Sequence, residues 1–333
     1  MEIDYLVVGA GITGCTVARA IADTLGDVLI VDQRDHIGGN CYDYYNNDGI
    51  LVHKYGVHLF HTDNKKVWDF LSRFTDWNFY QHKAVSYAEG KLWPFPPTKS
   101  VLQELGGEAY AELTFYHGYN KKMWNKRFQD IPVSIKNRAK MKYNEDERYF
   151  NNKYQGLPLY GYTKMFNKML SFKGIRWLLN TDYRDVWGLF NKAKKVIWTG
   201  GIDDLCGYIY GKLPYRSLIF KHRTYDKEFH QEALAISYPN DNEFIRTIEI
   251  KHGTGQRHHK TTVIYEYPTN IGIPLYPDIT NRKGLELYDK YKNRVLEIWG
   301  DKIILLGRLA EYKYINMDTA VENALNSIEK EVS

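Results

Sequence analysis

The segment IDYLVVGAGITG (3–14) constrains this chain more than any other. A short apolar run ends in a glycine turn, the pattern of a buried parallel strand. Val17, Ile21 and Leu25 follow at intervals of four, which predicts a helix, and VLIVDQ (28–33) predicts a second buried strand. In this βαβ unit Gly9 permits the tight turn. Gly11 lets the backbone approach a pyrophosphate, and Gly14 lets helix and strand pack closely. The helix N-terminus offers free N–H groups to phosphates. Asp32 ends the second strand 23 residues after Gly9, where an acid binds ribose hydroxyls. Together these features predict a dinucleotide site, without saying which dinucleotide.

Beyond this unit, HTDNKKVWDFLSRF (61–74) places Val67, Phe70, Leu71 and Phe74 on one helical stripe, with Thr62 or Asp63 as cap. WPFPP (93–97) reads as a break in regular structure, and 98–140 as irregular helix. KVIWTGG (195–201) returns to a buried strand, 232–238 and 261–267 alternate like antiparallel strands, and KIILLGRL (302–309) is a last buried strand. Val321, Ala324, Leu325 and Ile328 mark a final amphipathic helix with Asp318 as its N-cap. The nucleotide-binding unit is thus discontinuous, and the middle of the chain is inserted into it.

Composition excludes several classes. The formal charge of +5 is small, and the densest basic stretch, KHGTGQRHHK (251–260), lacks the interleaved aromatics of a single-strand binder. It reads as a solvated hairpin or loop, so no nucleic acid is expected. Cys15, Cys41 and Cys206 stand far apart, and the eleven histidines show no ligand spacing, so neither disulfides nor a metal is expected. No apolar run reaches membrane-span length and no leader precedes the first strand, so the chain reads as cytoplasmic. The 28 tyrosines, 14 phenylalanines and 8 tryptophans suit stacking on sugars and bases, although codon bias accounts for them equally well.

Directly after Asp32, RDHIGGN (34–40) brings a second glycine pair toward the cofactor, an extension like that of FAD-containing amine-oxidase-like and mutase proteins. With HKYGVHLFHTDN (53–64) it resembles the N-terminal signature of UDP-galactopyranose mutases. Matches to that family continue in order: FYHGYNKKMW (115–124), IPVSIKNR (131–138), YFNNKYQGLPLYGYT (149–163), IRTIE (245–249), IPLYP (273–277) and GRLAEYKYINMD (307–318). They span nearly the whole chain.

The resemblance implies an α/β fold: a Rossmann-like FAD-binding domain with an inserted small helical domain and an antiparallel β-sheet domain. The FAD-binding domain comprises 1–80, 185–230 and 300–333. The reduced helical domain is 98–145, with a mobile substrate loop at about 124–140, and the β-sheet substrate domain is 81–97, 146–184 and 231–299. The implied activity is interconversion of UDP-galactopyranose and UDP-galactofuranose. Reduced flavin N5 attacks the anomeric carbon, UDP leaves, and the sugar recloses through a different hydroxyl before UDP returns. An external reductant such as NAD(P)H first reduces the FAD.

Among site residues the resemblance implies Arg138 and Arg246 as the diphosphate-binding pair, whose planar forks suit phosphate. It implies Phe115 and Tyr119 around the uracil, Trp124 in the closing loop, and Tyr149, Tyr276 and Tyr314 along the diphosphate and sugar. His61 is implied at the flavin face. The implied cofactor set is Gly9, Gly11, Thr13, Gly14, Asp32, Gln33, Gly39, Asn40, His58, Arg308, Met317 and Asp318, the last two opening a helix whose dipole stabilises negative charge on the flavin.

Departures are specific. Val57 stands where the family has Pro, and Asn316 stands where it has a carboxylate near the sugar, which opens the identity of the sugar to UDP-GalNAc or UDP-arabinopyranose. The stretch between Pro97 and Phe115 is shorter than in bacterial members, which predicts a monomer or a dimer through another surface. Two competing readings remain at this level: an amine-oxidase-like FAD oxidoreductase and a catalytically inactive UDP-sugar binding module.

Overall fold

A computed structural model describes residues 3–332. At its centre lies an all-parallel five-stranded sheet, in the order Ile303–Leu305, Lys195–Trp198, Tyr5–Val8, Val28–Val31, Ile175–Leu178. The inner strands are almost wholly apolar because both their faces are covered, while Trp177 and Leu178 of the edge strand stay exposed. Val7, Ile30 and Ile197 point to one side, against Val17 and Ile21 of the helix Ile12–Thr24 and Val321 and Leu325 of the helix Met317–Val332. Leu6, Val8, Val31 and Trp198 point to the other, against Tyr291 and Val295 of the helix Arg282–Trp299. The result is a helix–sheet–helix sandwich whose crevice opens at the carboxyl ends of the strands.

A second, seven-stranded sheet runs Tyr276–Pro277, Tyr215–Tyr225, Thr261–Thr269, Arg246–Ile248, Ala235–Ser237, Ala84–Ala88, Lys91–Phe95. All its pairings are antiparallel except that of Ala235–Ser237 with Ala84–Ala88. Short helices Lys99–Glu104, Glu108–Glu112 and Gly118–Trp124, the last two joined by a π-helical turn Leu113–His117, pack on it through Trp93, Leu102 and Phe115.

Several expectations shift in detail. The strand Ile175–Leu178 and the helix Tyr162–Leu170 join the nucleotide-binding unit rather than the substrate domain, as does Arg282–Trp299. Conversely Tyr215–Tyr225 leaves that unit for the seven-stranded sheet. Trp93-Pro94-Phe95 finish an edge strand instead of interrupting structure, since an edge tolerates the missing proline N–H. Asn64, not Thr62 or Asp63, caps the helix Lys65–Ser72 by accepting from Lys66 and Val67 N–H. Asp318 lies inside the first turn of the final helix rather than at its cap. Lys251 of the basic stretch is buried, its Nζ donating to the carbonyls of Glu228, His258 and Lys260.

Candidate active site

The first strand, the first helix and the RDHIGGN turn build a cleft of about 210 Å³ at the carboxyl end of the parallel sheet. Gly14 makes the close approach of helix to strand possible: a Cβ there would sit 1.8 Å from the Gly9 carbonyl oxygen. Gly39, at φ +55°, passes so near Gly11 that its Cβ would lie 2.8 Å from Gly11 Cα. The two glycine turns thus form one backbone cradle. Helix Ile12–Thr24 starts there with no side-chain cap and no acid in its first turn, leaving its amides free for an anion.

Gly9, Gly11, Thr13, Asp32, Gln33, Gly39, Asn40, His58, Arg308 and Met317 line this cleft. Gly14 lies behind it as packing, and Asp318 faces the neighbouring cleft. Asp32 accepts from Ala10 N–H at 2.7 Å and from Arg34 N–H at 2.8 Å, so its carboxylate also holds the two turns in place. Arg34 was missed by the sequence reasoning although it follows Gln33. Its Nη2 donates to Asn40 at 3.0 Å, its guanidinium lies 4.7 Å from the Tyr55 ring, and its Nη1 is buried without an acceptor among the described residues. A glycine cradle, an open helix N-terminus, a ribose-distance acid and an orphaned guanidinium donor fit a dinucleotide.

A second cleft, of about 650 Å³, adjoins the first, and His58, Arg308, Asn316 and Met317 line both. Its walls carry Phe115, Tyr119, Trp124, Arg138, Tyr149, Arg246, Tyr276, Tyr314 and His61. These residues come from seven separate stretches, so folding brings together side chains up to 253 positions apart (His61 to Tyr314).

Two arginines tie the tyrosines down. Arg308 donates from Nη2 to the Ile315 carbonyl at 2.6 Å and from Nη1 to the Leu275 carbonyl at 3.3 Å, next to Tyr314 and Tyr276. Tyr314 meets Trp124 and Tyr276 edge-on at 5.5 and 5.6 Å. Arg138 lies 4.3 Å from the Tyr314 ring and donates from Nη2 to Asn316 Oδ1. Arg246 donates from Nε and Nη2 to Glu266 Oε2 at 2.8 and 2.7 Å.

The histidines are held neutral. His58 Nδ1 donates to the Gly56 carbonyl at 3.0 Å, leaving Nε2 bare, and burial pushes its pKa down to about 3. His61 stacks on Phe150 at 3.7 Å, and its Nδ1 donates to Asn152 Oδ1, which Asn152 presents by donating its amide to Asp63. Burial lowers its pKa, partly countered by that bond.

Two placements differ from expectation. Trp124 is the last residue of the helix Gly118–Trp124 and is buried, not part of an open loop. The stretch after it forms short helical pieces, among them Val133–Lys136. Phe115 lies in the π-helical turn, so it and Tyr119 do not stack at ordinary α-helical spacing. It packs edge-on against Trp93 and Phe95 while still reaching the cleft.

Residues 114–314 match the family UDP-galactopyranose mutase, and residues 7–74 match the NAD(P)-binding Rossmann-like domain. The dTDP-fucopyranose mutase of Escherichia coli is 31% identical, over 96% of both chains. The UDP-galactopyranose mutase of Mycoplasma genitalium is 33% identical, over 96% of this chain and 92% of that one. A crystal structure of reduced UDP-galactopyranose mutase superposes with a TM-score of 0.72 at 12% identity, covering 100% of this chain and 96% of the other.

Proposed function

Because this chain belongs to the UDP-galactopyranose mutase family, isomerases with a flavin cofactor, we propose that it interconverts UDP-galactopyranose and UDP-galactofuranose with reduced FAD. The observation that carries the reading is the junction of the two clefts at His58, Arg308, Asn316 and Met317. A dinucleotide laid along the glycine cradle reaches that junction, and an anionic sugar nucleotide in the larger cleft reaches it from the other side.

When bound along the glycine cradle, a reduced flavin would supply a nucleophile for the anomeric carbon. The protein's share is positioning and charge. Arg138 and Arg246 donate to the diphosphate, and their bonds strengthen as negative charge grows on the leaving oxygen. Tyr149, Tyr276 and Tyr314 add neutral donors along it, while Phe115, Tyr119 and Trp124 hold the nucleoside. The N-terminus of the 16-residue helix Met317–Val332 presents its positive end to the junction, favouring a reduced, anionic ring system. His58 and His61 are neutral donors and acceptors there, not stores of positive charge.

The identity of the nucleotide sugar has a second reading. The E. coli relative that acts on a dTDP-sugar is as similar to this chain as the UDP-sugar relatives, and Asn316 places a neutral amide at the junction. A dithionite-reduced, anaerobic assay over UDP-galactose, UDP-GalNAc, UDP-arabinopyranose and dTDP-fucose decides it. The proposal expects furanose product from UDP-galactose. Turnover of the dTDP-sugar alone replaces the substrate, and no product from any of the four rejects the isomerase reading of this cleft.

NAD(P)H is the proposed reductant and the cytoplasm the proposed place of action; none of the described helices is long and apolar enough to cross a membrane. It works as a monomer, or as a dimer through a surface outside 98–120.

A further inference from the structure

Of the three arginines that line the larger cleft, Arg246 is the one paired with an acid among the described residues. Arg138 donates to the neutral amide of Asn316, and Arg308 donates to two backbone carbonyls. Arg246 instead faces Glu266, its direct partner in the register between strands Arg246–Ile248 and Thr261–Thr269. The Glu266 side chain is 0% exposed, and its Oε2 takes both Nε and Nη2 of the arginine at 2.8 and 2.7 Å. Burial works against the charge on Arg246, but Glu266, followed by Tyr119 and Tyr276, holds it protonated far above neutrality.

The carboxylate is itself confined. Oε1 has no donor among the described residues, and a Cβ on Gly56 would lie 3.0 Å from it and 2.9 Å from the Phe220 ring. Gly56 belongs to the turn whose carbonyl fixes the His58 tautomer. Glu266 therefore sits between the arginine of one cleft and the turn that borders the other, closely packed on the Gly56 side.

We propose that Glu266 is a positioning residue: it fixes the guanidinium of Arg246 so that its unused N–H groups face the cleft, and it cancels that arginine's net charge. Arg246 then supplies direction to a bound diphosphate, while Arg138 and Arg308 supply the attracting field. This rests on the reading of the cleft given above.

The test uses full-length, flavin-loaded protein and steady-state turnover of the nucleotide sugar at several ionic strengths. In Glu266→Gln the shape survives and the charge does not. The kcat should fall at least about tenfold because the amide oxygen holds the fork through neutral rather than charge-assisted bonds, while KM stays or drops and its salt dependence steepens because the cleft gains a positive charge. If kcat and KM both remain within about twofold of wild type, Glu266 does not position Arg246. If kcat falls only in step with the folded fraction, with KM and its salt dependence unmoved, the role is structural and the proposal fails.

Should Glu266→Gln yield no holoenzyme, Glu266→Asp decides. It keeps the charge but retracts the carboxylate, so kcat should fall at least about tenfold with the salt dependence unchanged. A kcat within about twofold of wild type overturns the proposal. Arg246→Ala run alongside separates the two levels: near-normal turnover in it removes the diphosphate reading itself, whereas a crippled Arg246→Ala beside a normal Glu266→Gln removes the positioning role alone.

Discussion

At the scale of single residues, the two arginines proposed to bind the diphosphate would contribute in different ways. Arg138 is exposed and has no acidic partner among the described residues, so it would contribute its full charge, and Arg138→Ala should cost about 100-fold or more in kcat/KM while the protein stays yellow. Arg138→Lys should recover little, because the planar fork on the Tyr314 ring goes. Turnover within about threefold of wild type in Arg138→Ala would remove this residue from the mechanism. Much at this scale was legible in the sequence. Arg138, Arg246, Tyr276 and Tyr314 sit in short motifs, and all reach one cleft. Glu266 and Arg34 were not legible, because Arg246 and the Tyr55 ring are brought beside them only by folding. Glu266 lies in an ordinary alternating strand, and nothing in TTVIYEYPT marks its glutamate as the buried partner of Arg246.

At the scale of elements, the glycine cradle makes the sharpest prediction. Gly14→Ala would bring a methyl group to 1.8 Å from the Gly9 carbonyl, which no side-chain shift can relieve because both atoms are held by backbone. The helix Ile12–Thr24 must then tilt off the sheet and carry its open amides away from the phosphates. The purified variant should retain less than about a tenth of the wild-type flavin, read from its absorbance after gel filtration. Full flavin content would show that the cradle does not hold the cofactor.

The strands that build this element were legible because apolar runs buried on both faces stand out. The edge strand Ile175–Leu178 was not: Trp177 and Leu178 are 43% and 44% exposed, so its pattern carries no clean burial signal. The π-helical turn Leu113–His117 was equally hidden, since one extra residue per turn leaves the composition unchanged. It is also what alters the relation between Phe115 and Tyr119.

At the scale of the whole molecule, buried neutral histidines link folding to pH. His53 and His82 are 2% and 5% exposed, and burial lowers their pKa values to about 4 and about 3. An unfolded chain binds protons at these groups near pH 6.5, where the folded chain does not. Their contribution is therefore intact above pH 6.5 and is lost as pH falls through that value toward 4. Each histidine contributes up to about 1.4 kcal/mol per pH unit in that window. Urea midpoints should fall steadily from pH 6.5 to 4.5, and a flat profile would contradict the burial described for these rings. Both histidines lie in the first quarter of the sequence, where nothing in the neighbouring residues reveals that packing closes over them.

The central claim concerns the chemistry at the junction of the two clefts: a flavin that must be reduced yet is not consumed. The direct measurement is anaerobic conversion of UDP-galactofuranose by one preparation in its oxidised and dithionite-reduced forms, with reductant counted per product. The account predicts many turnovers of UDP-galactopyranose from the reduced protein after a single reduction, and none above background from the oxidised protein. Equal rates in both forms, or one equivalent of reductant used for each product molecule, would contradict it.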